Sequence, residues 1–304
     1  FTDRMDYMAA HMNRHCLCMC IEKALGTEVP ERAVVIRTMM DELMRISSHL
    51  LSFGCASMDL GATTAFFYGF REREQVLDIF DKTCGARMSM NYNVIGGVMA
   101  DVHPDFVKDV KALLAIMPER LKEYHRLFTG NIIAQNRMKG VGILSRDNAI
   151  NYAITGPSGR GSGFSCDCRL KHPYAAYGKV KFDEVLEEGC DSFARYMVRM
   201  REIEQSCQIL EQLVDNIPEG PVRAQVPKLI KLPVGHWYQQ VEASRGTFGV
   251  YIESDGAKTP YRVHFQSPCF NLTGVVDLCT RGHMIADLIT IEAILDFVIP
   301  DIDR

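Results

Sequence analysis

The sequence has one tryptophan in 304 residues, no Cys-x-x-Cys pair, no lysine- and arginine-rich stripe and no long apolar run. Each absence excludes something. The charge-free stretch Ile46–Met58 carries His49 and ends at Asp59, so it is too short to span a bilayer and no transmembrane helix is expected. A net charge of −4 without a basic stripe argues against binding nucleic acid or anionic lipid through charge. Eleven cysteines, an odd number, predict free thiols in a reducing compartment. Without Cys-x-x-Cys spacing, the chain is expected to hold no iron–sulfur cluster of its own. Gly156 to Gly163 is glycine-rich, but it lacks the Gly-Lys-Ser/Thr of a phosphate loop and the spacing of a dinucleotide fingerprint. No Gly-x-Ser-x-Gly elbow is present for a serine hydrolase. No signal-peptide pattern is visible near Phe1, and a further N-terminal part of the protein is expected to precede it.

What is there is helical periodicity. Residues 5–24 read as a helix ended by Gly26. Pro30 and Glu31 open a second helix, in which Val35, Met39, Leu43, Ile46 and Leu50 form one apolar stripe and Gly54 marks the expected end. Further helices are predicted over 63–82, 104–128, 184–216 and 282–295, with irregular chain over 139–180. Residues 225–268 are rich in β-formers, and Ser254-Asp255-Gly256 predicts a turn between two strands. The fold class is mainly α with a small antiparallel β appendage. The whole of 1–304 reads as one domain: a helical body to about 220, a β-rich segment over 221–270, and a C-terminal helix and tail over 271–304. Cys16, Cys18 and Cys20 read as small buried hydrophobes rather than a soft-metal site. His11 and His15 share a helix face, but Met12 stands where a zinc protease needs Glu, so their spacing reads as chance on a polar face.

Residue chemistry alone stops at a soluble, mostly helical protein that forms part of something larger. Specific strings go further. Asp3-Arg4-Met5-Asp6-Tyr7, then Asp59-Leu60-Gly61-Ala62 with Phe66-Phe67 and Arg71-Glu72-Arg73-Glu74, resemble the D (49 kDa) subunits of NADH:quinone oxidoreductase, respiratory complex I. Gly85-Ala86-Arg87-Met88 with Gly96-Gly97-Val98 matches a third block of that family. Arg160-Gly161-Ser162-Gly163 with Asp167, Arg169 and Pro173-Tyr174 matches a fourth. The hairpin Gly246–Tyr261 and the end from Gly282 to Asp303-Arg304 match as well. The resemblance covers essentially the whole chain, in order. The family's N-terminal region, with its quinone-pocket His, lies outside the sequence.

The resemblance implies a helical body like that of nickel–iron hydrogenase large subunits. In those enzymes four cysteines hold the metals, because soft sulfur ligands suit them. Alignment puts those ligands at Asp6, Ala9, Val298 and Asp301, so no metal site is expected. The resemblance makes the former metal cavity a quinone-headgroup site beside the terminal iron–sulfur cluster of a neighbouring subunit. Tyr7 takes the family's quinone-binding place, since a phenol can donate a hydrogen bond and a proton. Asp59 matches the acid that pairs with the pocket His, and it also reads as a helix N-cap. Arg87 and Ser89 fall near the partner's cluster. Ser89 stands where many relatives have His, and Val94 where they have Arg.

The implied function is a subunit of a proton-pumping NADH:quinone oxidoreductase that forms the quinone-reduction site and is active only within the complex. Quinone is then the substrate, and the chain binds no cofactor itself. The implied partners are the B-type iron–sulfur subunit, the C-type subunit and the membrane-arm subunits, placing the chain peripherally on the cytoplasmic face of the bacterial membrane. The alternatives are the same subunit type in a ferredoxin- or F420-linked complex, and a non-catalytic scaffold.

Overall fold

The computed structural model describes residues 1–303; Arg304, which belongs to the matching terminus, lies outside the described residues. A short 3-10 turn, Thr2–Arg4, leads to α1 (Ala10–Leu25), α2 (Glu31–Asp59) and α3 (Thr63–Cys84). A two-stranded ribbon follows, β1 (Asn93–Val94) and β2 (Gly97–Val98), then α4 (Phe106–Tyr124). Next come α5 (Ile132–Met138), α6 (Arg146–Asn151), α7 (Gly156–Arg160), α8 (Cys168–Lys171) and α9 (Ser192–Val214). An antiparallel sheet of β3 (Gly235–Ala243), β4 (Gly246–Ser254) and β5 (Arg262–Gln266) precedes α10 (Pro268–Gly274), α11 (Val276–Thr280), α12 (Ile285–Leu295) and α13 (Ile299–Ile302). The chain is therefore mainly helical with small antiparallel sheets. Ser254 closes β4, and Asp255-Gly256 open its connection to β5, as their turn chemistry predicts.

The central element is α2, which packs against α1, α3, α9 and α12. Its apolar stripe joins the main core, to which α1, α3, α4, α9 and the β3–β4 hairpin also contribute. The helix does not end at Gly54. A Cβ at Gly54 would stand 3.1 Å from the Phe70 ring, and one at Gly69 would stand 2.9 Å from Phe53, so the two glycines let α2 and α3 close on each other's aromatic rings.

On its other side α1 lies flat on the sheet. Cys16 and Cys20 face it, their thiols directed at the Gln239, Phe248, Trp237 and Val250 carbonyls at 3.3–3.7 Å. Small side chains here allow the close packing, and burial pushes the Cys16 thiol well above its usual value. A second, smaller cluster of Leu144, Ala149, Ile154, Leu272, Val275, Cys279, Ile291 and Leu295 joins α6 to α10–α12.

Several boundaries differ from the periodicity. The α1 helix starts at Ala10 rather than residue 5, because the preceding residues bend to bury Asp3 and Asp6. The expected helix over 184–216 begins only at Ser192, where Asp191 accepts from the Ala194 N–H as N-cap. The Gly- and Ser-rich stretch over 139–180 contains the short helices α6, α7 and α8. Among the described residues, no helix is long and apolar enough to cross a membrane.

Buried charge runs along α2. Arg37, Asp41, Arg45 and His49 recur every four residues, and each meets a partner from another element or a neighbouring turn. Arg37 forks onto Glu22 at 2.6 and 3.0 Å. Glu42 accepts from Arg169, Tyr177 and Ser206. His49 pairs with Glu202 at 2.8 Å, and Glu202 and Glu242 both hold Arg160. Charges this deep are tolerated because each is paired and hydrogen-bonded.

Candidate functional site

The N-terminal segment is held down by Asp3. Its buried carboxylate accepts from Arg14 Nε at 2.7 Å and from the Asn91 N–H at 2.9 Å. Ser89, with a positive φ of 52°, donates its hydroxyl to the Asp3 carbonyl at 3.4 Å. The segment and the loop after α3 are thus one unit, and Tyr7 projects from it, 38% exposed. Tyr7 lines a narrow cleft of about 10 Å³ together with Met8, Met44, Ser47, Arg73, Leu77, Arg87 and Met88. Arg87 is exposed and engaged with Glu74 and, at 3.3 Å, with Asp78. Three of the four residues singled out from the sequence therefore meet here: Tyr7 and Arg87 in the cleft, Ser89 behind it through Asp3.

Asp59 is placed differently. It is the last residue of α2, exposed, and not an N-cap: α3 follows Ala62 without a side-chain cap. The chain needs Leu60-Gly61-Ala62 to turn before α3 can begin, which puts Asp59 too early. Partial burial pushes its carboxyl up, and it makes no ion pair among the described residues. Its charge and those of Asp296, Arg73 and Arg245 all act on the Cys55 thiol, which ties the end of α2 to the same region.

Behind Tyr7 lies a carboxylate cluster that the sequence did not announce. Arg245, in the tight turn between β3 and β4, donates from Nη1 to both oxygens of Asp6 at 3.1 and 3.0 Å, and from Nη2 to Asp296 at 3.0 Å. Ser48 and Ser244 complete its shell. Burial pushes the Asp6 carboxyl up to about 6 against the pull of Arg245, with the Asp301 and Asp296 charges adding to the rise. Asp6, one of the positions aligned with hydrogenase cysteines, thus sits against a guanidinium cation, and the charge of another, Asp301, acts on it. With carboxylates and an arginine in place of thiolates, these residues do not fit a nickel–iron centre.

The pair His11 and His15 is not on a polar face. Both are buried, and their Nδ1 atoms bind the two oxygens of one carboxylate, Asp41 of α2, at 2.8 and 2.6 Å. Burial pushes the Asp41 carboxyl up, but the two imidazoles more than reverse this and hold it well below the usual carboxylate range. The i,i+4 spacing was visible in the sequence; the partner 26 to 30 residues away was not. Among the described residues, no group of three or more His, Cys, Asp or Glu side chains is arranged to hold a metal ion.

This chain belongs to the family described as respiratory-chain NADH dehydrogenase, 49 Kd subunit, which it matches over residues 59–304. Over its whole length it is 57% identical to the C/D subunits of NADH-quinone oxidoreductase from Bacteroides fragilis and Bacteroides thetaiotaomicron. It is 42% identical to the corresponding D-type protein of NADH-quinone oxidoreductase from Desulforamulus reducens, again over its whole length. The chain spans 57% of the C/D relatives and 83% of the D-type one.

Proposed function

We propose that this chain forms the quinone-reduction site of an NADH:quinone oxidoreductase, together with a B-type partner that holds the terminal iron–sulfur cluster. Tyr7 carries the reading: a partly exposed phenol in a cleft with Arg73 and Arg87, on a segment fixed by Asp3 and Asp6. The cleft has room for about one water, so the quinone headgroup sits over its mouth and a partner subunit supplies the opposite wall. NADH, oxidised in other subunits, supplies two electrons through the partner's cluster. Quinone takes these with two protons to become quinol, and Tyr7 donates one of those protons. Asp59, at the end of α2, is the acid available to a pocket His from outside this chain. The C/D relatives, whose name joins two subunits, support a C-type partner. The remaining contacts would be with membrane-arm subunits, leaving this chain peripheral on the cytoplasmic face of the membrane.

Tyr7→Phe in the assembled complex tests this. Quinone reduction is expected to fall by about 10²–10⁴-fold, the usual contribution of a positioned proton donor. Transfer from NADH to an artificial acceptor upstream of quinone should persist. Near-normal quinone turnover in Tyr7→Phe would overturn the reading.

A further inference from the structure

Among the described residues, the buried arginines have oxygen partners, with one exception beside Tyr7. Arg37, Arg45, Arg160, Arg169 and Arg245 each meet a carboxylate. Arg73 is 7% exposed, and its guanidinium meets no oxygen acceptor among the described residues. Nε is buried without a partner, Nη2 reaches the Met8 sulfur at 3.9 Å, and the cationic carbon lies 5.5 Å from the Phe70 ring centroid. Its sequence neighbour Glu74 is held by Arg87. The other groups acting on it are Arg87 itself and the Cys55 thiol of α2.

A buried cation with no anion in direct contact is costly, since the hydration lost to burial is not replaced by an ion pair. Guanidinium stays protonated at neutral pH even so. Its field falls where Met8 touches it and in the cleft it shares with Tyr7. A nearby cation favours the charged form of a phenol.

We propose that Arg73 is a positioning residue of the quinone site, stabilising the negative charge left on the Tyr7 oxygen when Tyr7 gives its proton to reduced quinone. This rests on the reading of Tyr7 given above. In that step the Tyr7 O–H bond breaks and a quinol O–H bond forms. The negative charge passes from the quinone oxygen to the phenolate, and the electrons have come from the partner's cluster. The missing anion of Arg73 is then the phenolate itself, present only during turnover. A charge met only in the reaction accelerates it more than one already satisfied at rest.

The test uses Arg73→Met, Arg73→Lys, Tyr7→Phe and the Tyr7→Phe/Arg73→Met pair in the assembled complex. Arg73→Met keeps the contacts with Met8 and Phe70 and removes the charge. It should lower kcat for quinone at least tenfold and leave upstream electron transfer intact. Arg73→Lys, which keeps the charge, should retain most of the native rate. The double variant should be no slower than Tyr7→Phe alone, since Arg73 acts through Tyr7. An unchanged rate in Arg73→Met would overturn the inference, as would a double variant clearly slower than Tyr7→Phe. Loss of assembly in Arg73→Met would also overturn it, by showing that the cation balances a partner's carboxylate. Normal turnover in Tyr7→Phe, by contrast, would remove the site reading on which the inference stands.

Discussion

Arg245 and Asp6 are 239 residues apart in the chain and in direct ion contact, one guanidinium nitrogen reaching both carboxylate oxygens. The contact fastens the turn between β3 and β4 to the residue that precedes Tyr7. The sheet therefore sets the position of the N-terminal segment, although it lies almost at the other end of the sequence.

The first prediction is a pH dependence that belongs to Asp6. Its carboxyl is raised from the ordinary value of 3.8 to about 6, chiefly by burial. Between those values the folded chain holds a proton that the unfolded chain has released. Rising pH across this window therefore removes stability; the penalty is absent below it and complete above it. The gap corresponds to about 3 kcal/mol. Asp6→Asn cannot titrate and should lack this slope. Denaturant unfolding of both proteins at pH 4 and pH 7 checks it, and parallel stability curves would refute it.

A second prediction concerns the two imidazoles on Asp41. Its two oxygens accept one hydrogen bond each from His11 and His15, deep between α1 and α2. Asn keeps one acceptor and turns a donor toward the other imidazole, so one contact is lost or must change tautomer. A hydrogen bond to a buried charge contributes about 1.5–3 kcal/mol, and Asp41→Asn should cost about 3 kcal/mol in all. A loss below about 1 kcal/mol in denaturant unfolding would show that the cluster does not pin α1 to α2.

How much of this was legible follows from range. The α2 stripe, the close of α1 at Gly26 and the hairpin turn at Ser254-Asp255-Gly256 are local patterns, and they were readable. Asp41, Arg245 and Asp296 draw their meaning from partners tens to hundreds of residues away, and no spacing encodes that. Asp59 looked like a cap because an acid precedes a helix, but three intervening residues turn the chain first. The helices α6, α7 and α8 are only four to six residues long, too short for a period to show. Tyr7 stood out only through its flanking Asp-Arg-Met-Asp, and Arg73 only as part of a charged turn. That Arg73 meets no oxygen acceptor among the described residues is a fact of packing alone.

Gly97 gives a third prediction. Its φ is +155°, and a Cβ there would stand 2.1 Å from the Val222 carbonyl oxygen, inside contact distance. That carbonyl is already bonded to the Val98 N–H at 2.9 Å, and the Gly97 carbonyl accepts from buried Arg37. An added methyl would have to part β2 from the 222–224 segment and disturb the Arg37–Glu22 pair. Gly97→Ala should therefore destabilise the chain by about 3 kcal/mol, combining backbone strain and overpacking. Unfolding within about 0.5 kcal/mol of the native chain would contradict this.

The last prediction concerns the B-type partner proposed above. The resemblance places Ser89 near the terminal iron–sulfur cluster, at a position where many relatives have His. An imidazole can take a proton when a nearby cluster is reduced, which stabilises the added electron and links potential to pH. A hydroxyl donates a hydrogen bond but cannot become a cation, and the Ser89 hydroxyl is directed at the Asp3 carbonyl. Val94 adds no charge, and the Arg87 charge is engaged by Glu74 and Asp78. Cluster potentials follow net local charge and hydrogen bonding, so both replacements push the potential down. The native complex is expected to show a low terminal-cluster potential that varies weakly with pH. Ser89→His should raise the potential and restore a fall with rising pH. Redox titration of the intact complex at several pH values decides it. A native potential that already falls by close to one proton per electron would mean that another group supplies the coupling, and the expectation would be withdrawn.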